Sequence, residues 1–207
     1  MLYTTISTVG CHSRASFRLA PVVNATTREV RERLQAGARY CAGGVAGPDL
    51  ASVVGTPGFE GPGFTVAAAG NYTATYQWVF TYNASLNASG AVDTGTPTSS
   101  ATALVSIYAL GYLYDTTNST VLDGDGGAAF PLFREIHEGS WWGGARHVEV
   151  NLTNTFTLVT GHVYDFETVL MTVAEAFAYA SGRAWAILNL GSVGDHARLV
   201  GLELTSG

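Results

Sequence analysis

The stretch Gly70-Asn-Tyr-Thr-Ala-Thr-Tyr-Gln-Trp-Val-Phe-Thr-Tyr-Asn83 decides the fold class. Its even positions Tyr72, Ala74, Tyr76, Trp78, Phe80 and Tyr82 are aromatic or small. Its odd positions Thr73, Thr75, Gln77 and Thr81 are polar, with Val79 the one exception. A strand sends alternate side chains to opposite faces, so the stretch reads as one long strand with a core face and a wet face. The wet face carries Asn71 and Asn83, each opening an Asn-x-Ser/Thr triplet.

Strand signals recur downstream. Residues 103–114 are apolar on both faces and read as a central strand, 148–158 alternate again, and 162–179, 184–190 and 197–204 close the chain. A further short strand is expected over 64–68, and loops over 83–100 and 116–127. Upstream, short strands are expected over 3–9 and 15–19. Thr26-Thr-Arg-Glu29 matches a capping box, and Val30, Leu34, Ala38 and Cys41 follow at helical spacing. This predicts a helix over 27–40. The glycines and prolines of 42–63 read as a linker. The expected fold is all-β: an antiparallel β-sandwich or jelly roll over 61–207, preceded by a small N-terminal appendage over 1–60 that contains one helix.

Composition narrows the function classes. The chain has 207 residues and a formal net charge of −6, and its charged share of 13% is about half the usual value of roughly 25%. Its ten basic residues are all arginine and form no patch, so a nucleic-acid partner is not expected. No apolar run is long enough to span a membrane, and residues 1–17 show no basic-then-apolar leader pattern. Cys11 and Cys41 are the only cysteines. They read as two buried thiols or as one disulfide closing a loop of about thirty residues; the extracellular character of the rest favours the disulfide.

Six of the eight asparagines, Asn24, Asn71, Asn83, Asn87, Asn118 and Asn151, open Asn-x-Ser/Thr triplets, where the Ser and Thr content predicts about one or two by chance. They are the candidate glycosylation sites, set against the possibility that Thr-rich strands generate such triplets by composition alone. Asp115, Asp123 and Asp125 surround a Gly-rich turn. Carboxylates so placed could gather oxygens around calcium, although an Asp-Gly hairpin turn explains the same letters. Calcium is the one candidate cofactor. The adjacent Trp141 and Trp142, with His137 and Glu138, are expected on a Gly-flexed loop, where they could stack on and orient a sugar or simply plug the end of the sandwich. No catalytic residue is assigned. Glu167 and Glu175 share a strand face but lie roughly 26 Å apart at about 3.3 Å per residue, too far for glycosidase geometry, and no Gly-x-Ser-x-Gly elbow occurs.

The segment Phe156-Thr-Leu-Val-Thr-Gly-His-Val-Tyr-Asp-Phe-Glu-Thr168, followed by Ala184-Trp-Ala-Ile-Leu-Asn-Leu190 and Ala197-Arg-Leu-Val-Gly-Leu-Glu-Leu204, resembles the closing strands of secreted bacterial and archaeal β-sandwich surface proteins. The resemblance covers about a third of the chain. It implies a secreted, non-catalytic module of the cell surface or matrix and transfers no functional residue. The expectation is therefore a non-enzymatic extracellular structural protein that self-associates into a layer or filament. Leu2–Val9 would be a candidate donor strand for a neighbouring copy, or else an ordinary first strand. The alternative is a carbohydrate-binding or adhesion module with Trp141 and Trp142 as its platform.

Overall fold

A computed structural model describes residues 2–9, 13–39, 49–89, 101–122, 132–139, 141–178 and 182–207. All regular structure among them is strand, arranged in two six-stranded antiparallel sheets. The first, sheet A, runs β1 (Leu2–Val9), β4 (Asp49–Glu60), β10 (Tyr164–Ala178), β6 (Ala101–Asp115). Beyond β6 lie the short β7 (Thr120–Val121) and β8 (Leu132–Gly139), both paired to it. In the second, sheet B, β2 (Arg14–Asn24) pairs with β3 (Glu29–Arg39), and β9 (Trp141–Leu158) pairs with β5 (Gly70–Ser89). Between β3 and β5, β11 (Arg183–Asn189) and β12 (His196–Ser206) follow one another, each pairing with both.

The decisive stretch lies within β5, whose alternation runs further than the sequence indicated: every even residue from Ala74 to Ala88 is buried. The loop expected from 83 onward is strand as far as Ser89. The core lies between the sheets. Trp78 stacks on Phe80 at 5.6 Å, and Tyr76 meets Phe166 of sheet A edge-on at 5.8 Å. Polar ends of the core aromatics find partners across the gap. The Tyr76 hydroxyl donates to the Tyr112 carbonyl at 2.6 Å, and Trp78 Nε1 to Thr168 Oγ1 at 3.3 Å. Gly111 makes room for Tyr76, since a Cβ there would lie 2.5 Å from the ring. Gly111→Ala is therefore expected to cost about 1–3 kcal/mol by overpacking, read as a lowered urea midpoint at unchanged m.

The expected N-terminal helix is absent: residues 29–39 are strand β3. Val30, Leu34 and Ala38 lie four apart, which fits a helix face and, because four is even, a strand face equally well. Ala36 and Glu32 complete the inward set, and all five are buried. A carboxylate at an inward position disguised the period of two. The supposed capping box is a hairpin turn instead. Asn24 Oδ1 accepts from the Thr26 and Thr27 N–H groups at 3.0 and 3.2 Å, and Arg28 takes a left-handed φ of 54°.

The expected linker over 42–63 likewise contains a strand, β4, which lies between β1 and β10. Its Pro57 lacks an N–H, and the pairing with β10 skips from Val169–Gly58 to Thr172–Gly55, bridging that gap. Only an isolated bridge, Phe64 to Tyr164, stands where a strand over 64–68 was expected. Residues 1–60, read from the sequence as an appendage, thus supply β1 to β4, which pair with β10, β11 and β12 of the two sheets. Leu2–Val9 pairs with its own chain's β4 as an edge strand of sheet A.

Candidate functional site

The outer faces of the two sheets differ in chemistry. In sheet B, the odd residues of β5 from Asn71 to Asn87, Val79 apart, and those of β9 from His147 to Thr157 point away from the core and are polar. Thr73 Oγ1 lies 3.2 Å from Thr155 Oγ1, and Thr157 donates to Asn71 Oδ1 at 2.9 Å. In sheet A, the even residues of β10 face inward, since Thr172 bonds Glu32 of β3 and Thr168 accepts from Trp78. The odd residues of β10 and the even residues of β6 therefore form its outer face. That face is largely apolar: Leu110 is opposite Val169, Tyr108 opposite Met171, and Leu104 opposite Glu175. These residues are half-buried, while Val173 at the centre is 8% exposed and Ser106 beside it is 2% exposed.

Acidic side chains flank this apolar floor at both ends. At one end, Tyr112, Glu167 and Glu60 stand in one register row across β6, β10 and β4. Partial burial raises the Tyr112 pKa above its ordinary value, helped by its hydrogen bond to Glu167 and by the negative charges of Glu167 and Glu60. Directly opposed residues of neighbouring strands have Cβ atoms about 5 Å apart, so the row presents a ring edge and two carboxylates side by side. At the other end, Ser52 Oγ donates to Glu175 Oε1 at 3.0 Å. Sequence reasoning set Glu167 and Glu175 apart correctly, but missed Glu60 as a neighbour of Glu167 because Glu60 fell in the supposed linker.

The residues singled out from the sequence are scattered. His137 and Glu138 lie in β8 and Trp141 and Trp142 open β9, so the expected loop is two strand ends joined across residue 140. Trp141 is opposite Asn87 and Trp142 opposite Leu86. Consecutive strand positions belong to opposite sheet faces. Asp123, Asp125, Cys11 and Cys41 lie outside the described residues.

Asp115 ends β6, and both its oxygens are occupied by protein donors. Oδ1 accepts from the Thr117 and Asn118 N–H groups at 2.9 and 3.1 Å; Oδ2 accepts from Asn118 Nδ2 at 3.1 Å and His162 Nδ1 at 2.7 Å. This knot fastens the 116–119 turn to the turn before β10, where Thr116 donates to the Val163 carbonyl and Val163 N–H to Thr117 Oγ1. An Asp–His pair supplies two of the three members of a hydrolytic triad, but no described hydroxyl or thiol bonds the other His162 nitrogen. Among the described residues, no group of three or more His, Cys, Asp or Glu side chains could hold a metal ion. No helix among them is long and apolar enough to cross a membrane.

A depression of about 500 Å³ beside the β2–β3 hairpin is lined by Val22, Asn24, Thr27, Glu29 and Arg31. Its charged pair, Arg31 and Glu29, is satisfied internally at 3.2 Å.

No family model matches the chain, and no curated protein does. Among solved structures, a carbohydrate-binding module in complex with β-1,4-galactotriose aligns over 99% of this chain and 88% of that one, at 10% identity and a TM-score of 0.25. The resemblance of the closing strands to secreted surface proteins has no counterpart in these comparisons.

Proposed function

We propose that the protein is a non-catalytic, secreted carbohydrate-binding module and that the outer face of sheet A is its platform. The observation that carries this reading is the row Tyr112–Glu167–Glu60 at one end of a half-buried apolar floor. A sugar presents a C–H face to an aromatic or apolar surface and a rim of hydroxyls to acceptors. Tyr108, Met171 and Leu110 supply the first; Glu167, Glu60 and, at the far end, Glu175 supply the second. Tyr108 and Tyr112 are four residues apart on one face, roughly 13 Å along the strand at about 3.3 Å per residue. That length suits a few linked sugars rather than a single one. No calcium or other cofactor enters the reading.

The test is retention of the full chain in native gels containing a panel of neutral and acidic polysaccharides. One or more should retard it. Tyr112→Ala and Glu167→Gln should each weaken retention about tenfold, the equivalent of about 1.4 kcal/mol, with the melting transition still cooperative. Migration unaffected by every polysaccharide would reject the reading. Retention that survives both substitutions but is lost in a Trp141→Ala, Trp142→Ala double variant would move the site to the start of β9.

A further inference from the structure

The six Asn-x-Ser/Thr triplets are not equivalent once folded. In a strand, residues two apart share a face, so Asn71 with Thr73, Asn83 with Ser85 and Asn151 with Thr153 lie side by side on the outer face of sheet B. Asn71, Asn83 and Asn151 are exposed, and so is Asn24 in the β2–β3 hairpin. Asn24 and Asn71 engage only their Oδ1 atoms, as acceptors. Among the described residues, none of these four Nδ2 groups has a hydrogen-bond partner. Asn83 is flanked by Ala145 on β9 and Asn189 on β11, which leave room above it. Asn151 sits on β9, the outer edge of sheet B.

The other two differ. Asn118 Nδ2 is drawn into the Asp115 knot, 3.1 Å from Asp115 Oδ2 and 3.4 Å from His162 Nδ1. Asn87 is half-buried, at a register position between Trp141 and Trp185. A sugar on Asn118 would occupy the space in which the two turns are fastened together, and one on Asn87 would rise from a half-buried position directly opposite Trp185.

We propose that the folded protein carries N-linked glycans at Asn24, Asn71, Asn83 and Asn151, and none at Asn118 or Asn87. The donor is a lipid-linked glycosyl diphosphate. The asparagine Nδ2 forms a bond to the anomeric carbon, the bond from that carbon to the diphosphate oxygen breaks, and the amide gives up one proton. For Asn71 and Asn83 the transfer precedes sheet closure, because a backbone already paired on both sides cannot enter another enzyme's cleft, and a chain modified at Asn87 or Asn118 at that stage would not close into this fold. The folded structure then tolerates those four additions. On this arrangement the glycans stand over sheet B and the hairpin, while the outer face of sheet A stays bare. On the edge strand, the Asn151 glycan also shields unpaired backbone groups from pairing with another chain.

The experiment is site mapping of the full chain, purified from its source or from a host whose secretory pathway attaches N-glycans. Enzymatic deglycosylation in ¹⁸O-labelled water converts each occupied Asn to a labelled Asp, which peptide mass spectrometry locates. Label at Asn24, Asn71, Asn83 and Asn151 alone is the expected result, and Thr153→Ala should remove one glycan's mass and the label at Asn151 only. An intact mass equal to the bare polypeptide, or substantial label at Asn118 or Asn87, overturns the proposal.

Discussion

Glu32→Gln should make the protein more stable at pH 8 and flatten its stability profile between about pH 4.5 and 7. Glu32 is fully buried between the sheets, where Oε1 accepts the Thr172 hydroxyl at 2.6 Å and Oε2 has no partner. Burial raises its pKa from the ordinary 4.5 to about 7, with the Thr172 hydrogen bond pulling weakly the other way. The native state therefore holds a proton that the unfolded chain releases above 4.5. The stability this group contributes is fully present below pH 4.5 and is lost as pH rises toward 7. At roughly 1.4 kcal/mol per pH unit, that interval is worth about 3 kcal/mol. The amide of Gln carries no charge to bury, so the variant should overtake the parent near neutrality. At pH 4 it should be level or slightly weaker, because an amide N–H₂ without an acceptor has its own cost of about 1–3 kcal/mol. Urea titrations of both proteins from pH 4 to 8 decide it. Parallel profiles would mean that Glu32 is ionised in the folded state or reached by water.

The same carboxylate explains Gly55. A Cβ at position 55 would collide with Glu32 Oε2 and lie 3.0 Å from Thr172 Oγ1, so β4 uses a glycine in mid-strand where a larger residue would pack better in isolation. Gly55→Ala should destabilise the parent by about 1–3 kcal/mol and do much less harm beside Glu32→Ala. A double-mutant cycle would show that coupling directly.

This pair also shows why part of the fold was hidden in the sequence. β5, β6, residues 148–158 of β9 and the three closing strands were legible because most of their inward positions carry apolar side chains, the inward Thr168 and Thr172 of β10 being exceptions. β3 was not, because Glu32 occupies an inward position and the remaining apolar residues are spaced four apart. β4 was not, because Gly55 makes room for a side chain from the opposite sheet and Pro57 sits at a gap in the ladder, so its letters look like a linker. The candidate platform was hidden by the same error. Tyr112 and Glu167 belong to strands that were correctly expected, but their alignment with Glu60 is a matter of register between strands far apart in sequence. Nothing in local pattern fixes that register. The polar face of sheet B was legible from a single strand, since period-two alternation shows it directly.

Asp115→Ala should lower stability by about 3 kcal/mol at pH 7 and loosen one end of the sandwich before the rest. The carboxylate accepts four hydrogen bonds, and two of its donors, Asn118 Nδ2 and His162 Nδ1, leave the 116–119 and 160–163 turns without their common fastener when it is removed. Hydrogen bonds to a charged group are worth about 1.5–3 kcal/mol each, but several of these donors can turn to water once released, so the net loss is nearer to that of one or two bonds. The pH response runs opposite to that of Glu32. Burial disfavours the charged form of Asp115, yet the hydrogen bond from His162, the backbone N–H groups of Asn118 and Thr117 and the proximity of His162 outweigh it and hold its pKa below the ordinary 3.8. Its contribution is therefore complete above pH 3.8 and is lost as pH falls through the depressed native value. With Glu32 losing its contribution above pH 4.5, the two groups together place the stability maximum in mildly acidic solution. Asp115→Asn keeps a side chain that accepts from the backbone N–H groups but carries no charge for His162. It should fall between parent and Ala and lose the acid limb of the profile. Hydrogen exchange should show the 116–119 and 160–163 amides losing protection first, while the β5 amides keep theirs. If Asp115→Ala melts within about 0.5 kcal/mol of the parent, the knot is a surface arrangement and the two turns are held by their backbone hydrogen bonds alone.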